Sequence, residues 1–291
     1  MKELSKIALA VQPSATLAID TMFKQMRADG LDVIGFGAGE PDFPTPDHIK
    51  EAGIQAIQNN DTKYTPSAGT VELRKAVCQR LKEDCGVDYE PSQISVSSGA
   101  KPCVYTALRA LVDPGDEVIL PAPYWVSYIE LIRMVGGVPV VVEASEAEHF
   151  KITPEKLAAA ITPKTKCMIL NNPCNPTGMG YDLSTMEMLA RVAKEYDLLI
   201  AADEIYTTYI YEGDFRPIRT LPGMAERTIT LNSFSKNFLM TGWRVGVIIA
   251  EPEFLDVMNR INGSLVYSAP SISQRAGIQA LEMRKEIREK Y

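Results

Sequence analysis

The feature that most constrains this chain is a series of short, almost wholly apolar segments, each followed by a longer stretch with apolar residues at helical spacing. Residues 166–171 and 198–202 are the clearest of them. A strand that is apolar on both sides is covered on both sides, which is the mark of a parallel sheet with helices above and below. Strands are expected at 94–98, 117–121, 138–143, 166–171, 198–202, 227–232 and 243–250, with helices at 100–112, 124–135, 154–161 and 183–196 among them. Asp113-Pro-Gly-Asp116 and Gly136-Gly137 supply turns, and Pro154 opens its helix. Only about ten residues separate the last two strands, the lower limit for a right-handed crossover, so the final strand is expected to run antiparallel to its neighbours.

The two ends read differently. Residues 14–29 form an amphipathic helix capped by Ser14 and followed by Gly30, and 33–36 reads as a short strand. The Gly/Pro-rich stretch 37–46 is a loop. Residues 271–290 carry one long helical pattern. Among 291 residues, Lys and Arg number 30 and Asp and Glu 37, a net charge of −7, with no basic run to hold nucleic acid. No stretch reaches the roughly 18–20 apolar residues of a membrane helix. The apolar run 7–11 stops at Gln12-Pro13, short of a secretion signal. Five cysteines (Cys78, Cys85, Cys103, Cys167, Cys174) form no CxxC, and the histidines are His48 and His149. Neither a disulfide scaffold nor a metal site is expected, and the thiols suit a reducing cytoplasm.

In an open α/β sheet, ligands bind beyond the carboxyl ends of the strands. After 94–98 comes Ser98-Gly99-Ala100-Lys101, which opens a helix; it reads either as a tight turn or as a phosphate nest. After 166–171 comes Asn172-Pro-Cys-Asn175-Pro-Thr-Gly178, a structural turn or a rigid holder for the Asn175 amide. After 198–202 comes Asp203-Glu204-Ile-Tyr206, a solvated acidic helix start or a carboxylate and phenol sharing one mouth. After 227–232 come Ser233-Phe-Ser235-Lys236 and Thr241-Gly-Trp-Arg244. A partly desolvated lysine forms Schiff bases with aldehydes, and an arginine fork suits phosphate. Trp125, beyond the 117–121 strand, is a core aromatic or a stacking face. Together these groups match what pyridoxal 5'-phosphate needs: a lysine, a carboxylate at the ring nitrogen, ring-oxygen donors, anion binders and an aromatic face. A nicotinamide dehydrogenase fits poorly, because the first strand–helix turn lacks G-x-G-x-x-G.

The order of motifs resembles the class I/II aminotransferases of pyridoxal-phosphate fold type I, most closely the bacterial aspartate aminotransferase branch. The matching stretches are Gly37-Ala-Gly-Glu-Pro-Asp-Phe43, Lys63-Tyr-Thr-Pro-Ser-Ala-Gly69, Leu73-Arg74, Pro123-Tyr-Trp-Val-Ser-Tyr128, Asn171-Asn-Pro-Cys-Asn-Pro-Thr-Gly178, Asp203-Glu-Ile-Tyr206, Ser233-Phe-Ser-Lys236 and Gly242-Trp-Arg-Val-Gly246. The resemblance implies an α/β fold with a mostly parallel seven-stranded sheet, one antiparallel strand, helices on both faces and part of a small domain. It implies an arm with part of the small domain at 1–45, a large cofactor domain at 46–270, and at 271–291 the start of a helix leading to the rest of the small domain. It also assigns roles. Lys236 carries the cofactor and moves the substrate proton, and Asp203 holds the ring nitrogen. Asn175 and Tyr206 bond the ring oxygen, and Trp125 stacks on the ring. Gly99, Ala100, Ser233 and Arg244 bind the phosphate. Tyr64 reaches the phosphate of a neighbouring subunit, which implies a homodimer. Gly39, Trp125, Asn175 and Lys101 belong to the substrate end.

The implied reaction is transamination, with aspartate and 2-oxoglutarate as the expected pair. The alternatives are a pyridoxal-phosphate lyase on the same fold, or a cofactor-binding module with little turnover. Family members continue for roughly a further hundred residues, the size of a small domain, and that segment carries the arginine that grips the substrate α-carboxylate. Some relatives have a basic residue where this chain has Gln12, associated with prephenate as substrate; Gln12 argues against prephenate.

Overall fold

The wholly apolar run 198–202 lies in the middle strand of the sheet. The computed structural model describes residues 3–37 and 39–291; Met1, Lys2 and Ala38, the last inside the 37–43 motif, lie outside it. The strands are β1 (Ile94–Ser97), β2 (Glu117–Ala122), β3 (Val138–Glu143), β4 (Thr165–Asn171), β5 (Leu199–Asp203), β6 (Thr228–Ser233) and β7 (Gly246–Ile249). They form one seven-stranded sheet in the order β1-β7-β6-β5-β4-β2-β3. As expected from its short connection, β7 runs antiparallel to both β1 and β6, and the remaining pairs are parallel.

The helices are α1 (Lys6–Ala10), α2 (Ala15–Ala28), α3 (Asp47–Gln58), α4 (Val71–Cys85), α5 (Ala100–Leu111), α6 (Ser127–Met134), α7 (Pro154–Ala160), α8 (Leu183–Glu195), α9 (Phe234–Asn237), α10 (Pro252–Leu265), α11 (Ser271–Glu282) and α12 (Arg284–Lys290). All but α1 and α2, which bury no residue, belong to layers that cover both faces of the sheet, since successive strand residues point to opposite sides. Val118, Leu120, Cys167, Ile169, Ala201 and Ile248 share a core with residues of α5, α6 and α10. Their neighbours Ile119, Met168, Leu170, Ile200 and Ala202 share another with α8. Val96, Val247 and Ile249 join Leu73 and Val77 of α4 and Ala276 and Ala280 of α11. Each fully buried leucine or isoleucine contributes about 1.5–3 kcal/mol, so the sheet and its flanking helices hold the fold.

Several local expectations change. Residues 33–36 form no strand: no ladder pairs them, and Ile34 and Phe36 are 83% and 94% exposed. The helix expected over 124–135 begins only at Ser127, which leaves Trp125 on the loop before it. The last strand starts three residues late, because Thr241–Trp243 forms a single tight turn and Arg244 takes a left-handed φ of 57°. The pattern over 271–290 is two helices that meet at Met283. The bend turns Ile287 into the core beside α4 and α11, and it brings Arg284 to Glu83 and Asp84 of α4. Residues 271–290 therefore pack on the same body as α3 and α4.

Candidate active site

Register determines which strand-end loops meet. Ser97 at the end of β1 and Ser233 at the end of β6 both pair with Gly246 at the start of β7. The loops bearing Gly99, Lys236 and Arg244 are thereby gathered at one place. Asp203 at the end of β5 pairs with Asn171 on one side and Leu231 on the other. This brings the Asn175 loop and the Lys236 loop to either side of the carboxylate.

The anion-binding corner is built by exclusion of a side chain. Gly99 has φ +100° and caps α5. A Cβ built there would meet the Arg244 guanidinium, and L side chains rarely adopt that φ, so glycine suits a loop against which the arginine lies. Arg244 Nη1 donates to Thr241 O at 2.9 Å, which holds the fork. The first N–H groups of α5, beginning at Ala100, lack intrahelical acceptors and point the positive end of the helix dipole here. Ser233 is buried, and its hydroxyl accepts from Ser235 N (3.1 Å) and bonds Val245 O (3.1 Å) and Ser235 Oγ (3.0 Å). It shapes the turn before Lys236.

Asp203 is 1% exposed. Tyr128 donates to its Oδ2 at 2.6 Å and Ile205 N to its Oδ1 at 3.3 Å. Burial pushes this carboxyl up to about 6, against the pull of the Tyr128 hydrogen bond and the Ile205 N–H. Glu204 lies on the buried side of the same turn, where burial and then the Asp203 charge push it up to about 8. Across the mouth, Asn175 Nδ2 donates to the Tyr206 hydroxyl at 3.3 Å. Asn175 N is itself fixed by Asn171 Oδ1 at 2.8 Å. Burial, followed by the Asp203 charge, raises the Tyr206 phenol above its ordinary value, while Asn175 opposes them.

Lys236 stands in α9, a single turn after β6. Its Nζ donates to Gly39 O, and its backbone carbonyl accepts from the Tyr209 hydroxyl at 2.9 Å. Burial lowers its pKa; nearby Glu40 opposes that and Arg244 reinforces it. The neutral amine, the form that attacks an aldehyde, is correspondingly favoured. Trp125 meets Tyr128 edge-on at 5.2 Å, and Lys101 Nζ lies 5.0 Å from the Trp125 ring. Burial and then Arg244 lower the Lys101 pKa.

Nearly all the residues expected from the sequence therefore converge. Tyr64 does not: it is 83% exposed and packs on Tyr267, ring centroids 4.5 Å apart. Three contacts were missed. Tyr128 and Tyr209 each lie one helical turn beyond a residue already singled out (Trp125, Tyr206), and that spacing was the available signal. Glu40 accepts from Thr241 Oγ1, a pairing across 201 positions that no local pattern reveals.

The donor set fits pyridoxal 5'-phosphate. Asp203 is a buried anion with no lysine or arginine ion-paired to it among the described residues, as a protonated ring nitrogen requires. The Gly99–Arg244 corner would fill if Gly99 carried a Cβ, as a phosphate cradle would. Among the described residues no cluster of side chains could hold a metal ion, and no helix is long and apolar enough to cross a membrane.

Comparison with known proteins gives the same answer. Residues 31–291 match the family described as aminotransferase class I and II. The aspartate aminotransferase of Geobacillus stearothermophilus is 44% identical, over 96% of this chain and 71% of its own length. The aspartate/prephenate aminotransferase of Thermus thermophilus is 41% identical, over 99% of this chain and 74% of its own. The solved structure of aspartate aminotransferase from Thermus thermophilus with maleate superposes with a TM-score of 0.96 at 39% identity, covering 100% of this chain and 76% of that one. These neighbours share the pyridoxal-phosphate transferase fold, and their family uses pyridoxal phosphate. From the family match, the relatives and the shared fold together, the chain belongs to the class I and II aminotransferases.

Proposed function

We propose that this chain transfers the amino group of aspartate to a 2-oxo acid, 2-oxoglutarate being the expected acceptor, with pyridoxal 5'-phosphate as cofactor. The observation that carries this reading is Asp203, buried and ion-paired to no lysine or arginine among the described residues, on the same sheet edge as Lys236 and the Gly99–Arg244 corner. When bound, the cofactor supplies an electron sink for charge developing at the substrate α-carbon. Asp203 keeps the ring nitrogen protonated. Lys236 Nζ anchors the cofactor and then, as a free amine, takes and returns the substrate proton. Asn175 and Tyr206, already bonded to each other, offer an amide and a phenol to the ring oxygen. Trp125 covers one face of the ring. Gly99, Ala100 and Arg244 hold the phosphate, and Ser233 completes that corner. Gly39, Lys101, Trp125 and Asn175 line the substrate end.

The assembly belongs to the same reading. Tyr64, exposed in one chain, serves the phosphate of a second copy in a homodimer. Residues 46–270 are the large cofactor domain, 1–45 the arm with part of the small domain, and 271–291 the way into its remainder. A cytoplasmic location accords with the free cysteines. Aspartate is favoured because the relatives' names specify it and because maleate, the ligand named for the Thermus structure, is a four-carbon dicarboxylate. Gln12 argues against prephenate.

The test is the absorption spectrum of the purified chain with added pyridoxal phosphate, before and after aspartate. Loss of the cofactor's visible band, with release of the matching 2-oxo acid, supports the reading. A band that ignores every amino acid leaves cofactor binding without transamination. Pyruvate and ammonia released from a single amino acid without an acceptor would move the chain to the lyases.

A further inference from the structure

Tyr128 is among the largest fully buried side chains, packed with Leu131, Ile132 and Val135. A phenylalanine would fill the same volume, and a hydroxyl in such a core is destabilising unless it is bonded. Its hydrogen bond runs to Asp203 Oδ2 at 2.6 Å. The other carboxylate oxygen is held by the backbone of Ile205. The carboxylate is thus pinned at both oxygens, one from its own loop and one from α6.

We infer that Tyr128 is a positioning residue that holds the Asp203 carboxylate in its charged form and in a fixed orientation. This rests on the reading of Asp203 as the partner of the ring nitrogen. The titratable groups facing Asp203 are Tyr128 on α6, Cys103 on α5, and Glu204 and Tyr206 beyond β5. Burial keeps Cys103, Tyr128 and Tyr206 protonated at neutral pH, and Glu204 also binds its proton more tightly than usual. None of the four supplies positive charge. The hydrogen bond from Tyr128 is the largest influence opposing the burial of Asp203, ahead of the Ile205 N–H. Trp125, edge-on to the same phenol, ties the position of the stacking face to that of the carboxylate.

The experiment compares the wild-type chain with Tyr128→Phe and, as a packing control on the same helix, Leu131→Ala. Two quantities are followed across pH: the Asp203 carboxyl, by carbon-13 NMR of aspartate-labelled protein without cofactor, and the affinity for pyridoxal phosphate. Tyr128→Phe is expected to raise the carboxyl midpoint by roughly one unit and to weaken cofactor binding about tenfold at pH 7. Leu131→Ala lowers the unfolding temperature and leaves the midpoint in place. Replacing Tyr128 with 3-fluorotyrosine, a stronger donor of nearly the same shape, moves the midpoint down and covers the case in which Tyr128→Phe fails to fold. The same midpoint in Tyr128→Phe as in wild type, or an equal rise in Leu131→Ala, overturns the inference. So does a midpoint unmoved by 3-fluorotyrosine. A wild-type chain that ignores pyridoxal phosphate, but whose carboxyl responds to Tyr128 as described, overturns the functional reading and leaves the link between the two residues standing.

Discussion

α2 and α8 carry the same kind of pattern and meet opposite fates. They are 14 and 13 residues long, and each is capped by a side chain, Ser14 accepting from Leu17 N and Asp182 from Thr185 N. α8 buries Met186, Leu189, Ala190, Val192 and Ala193 against the sheet. α2 buries none of its residues, and Leu17, Ile19 and Met22 stand 66%, 49% and 58% exposed. A cap and an apolar stripe suffice to make a helix, but only a second surface turns the stripe into core. The site follows the same division. Asp203 and Ser233 sit at the ends of strands locked between helices, whereas Gly39 and Glu40 come from the less buried side.

The sharpest way to probe that contrast is to compare lysines. Lys236→Ala should reduce amino transfer from aspartate by at least about 100-fold, since it removes the proton-transfer group. Lys24→Ala, which breaks a surface pair with Asp20 on α2, should leave the rate unchanged; steady-state assays of both variants decide it. Next in size is a packing pair. Leu189→Ala should destabilise the fold by about 2–5 kcal/mol in denaturant unfolding, and Leu17→Ala should stay within about 0.5 kcal/mol. A large effect of Leu17→Ala would show that α2 has a covering surface of its own.

A smaller effect is expected at Gln274, which is fully buried on α11. It accepts from Thr70 N at 2.8 Å and donates to Thr65 Oγ1 at 2.9 Å and Ala269 O at 2.8 Å. Two of these bonds tie down the second half of the loop that carries Tyr64, at Thr65 and Thr70. Gln274→Leu should cost about 1–3 kcal/mol by stranding those partners, read as a lower unfolding temperature and faster proteolysis within 63–70.

A further effect depends on pH. Glu204 in the folded chain titrates near 8, above its ordinary carboxyl value. The folded state therefore holds a proton that the unfolded state has released, and this contribution to stability fades as pH rises from about 4.5 towards 8. Glu204→Gln should abolish that slope, so the variant gains on wild type at pH 8 and not at pH 4. Parallel melting curves over that window would refute the assignment.

Much of this was legible beforehand. The apolar runs announced their strands, and the short link before the last strand announced its reversal, because both depend on spacing along the chain. The residues after each strand marked the site, since parallel strands deliver their carboxyl ends to one edge. Where the reading failed, long-range partners decided. The stretch 33–36 has strand-like residues but no strand to pair with, and the pattern over 271–290 gives no sign that Arg284 would find Glu83 and Asp84. Tyr128 looked like one more aromatic in a motif until Asp203, 75 positions away, stood beside its hydroxyl.

By itself the sequence determined where the seven sheet strands and the helices between the first five of them lie, which loops carry chemical groups, and that a lysine, a carboxylate and an arginine each follow a strand. These are properties of period and of immediate neighbours. Tertiary structure decided the strand order, the pairing of Ser97 and Ser233 with one glycine of β7, the fit of Arg244 against Gly99, and the phenol that holds Asp203. Those depend on which surfaces bury one another, and burial is settled between segments distant in the chain, where no local periodicity reaches.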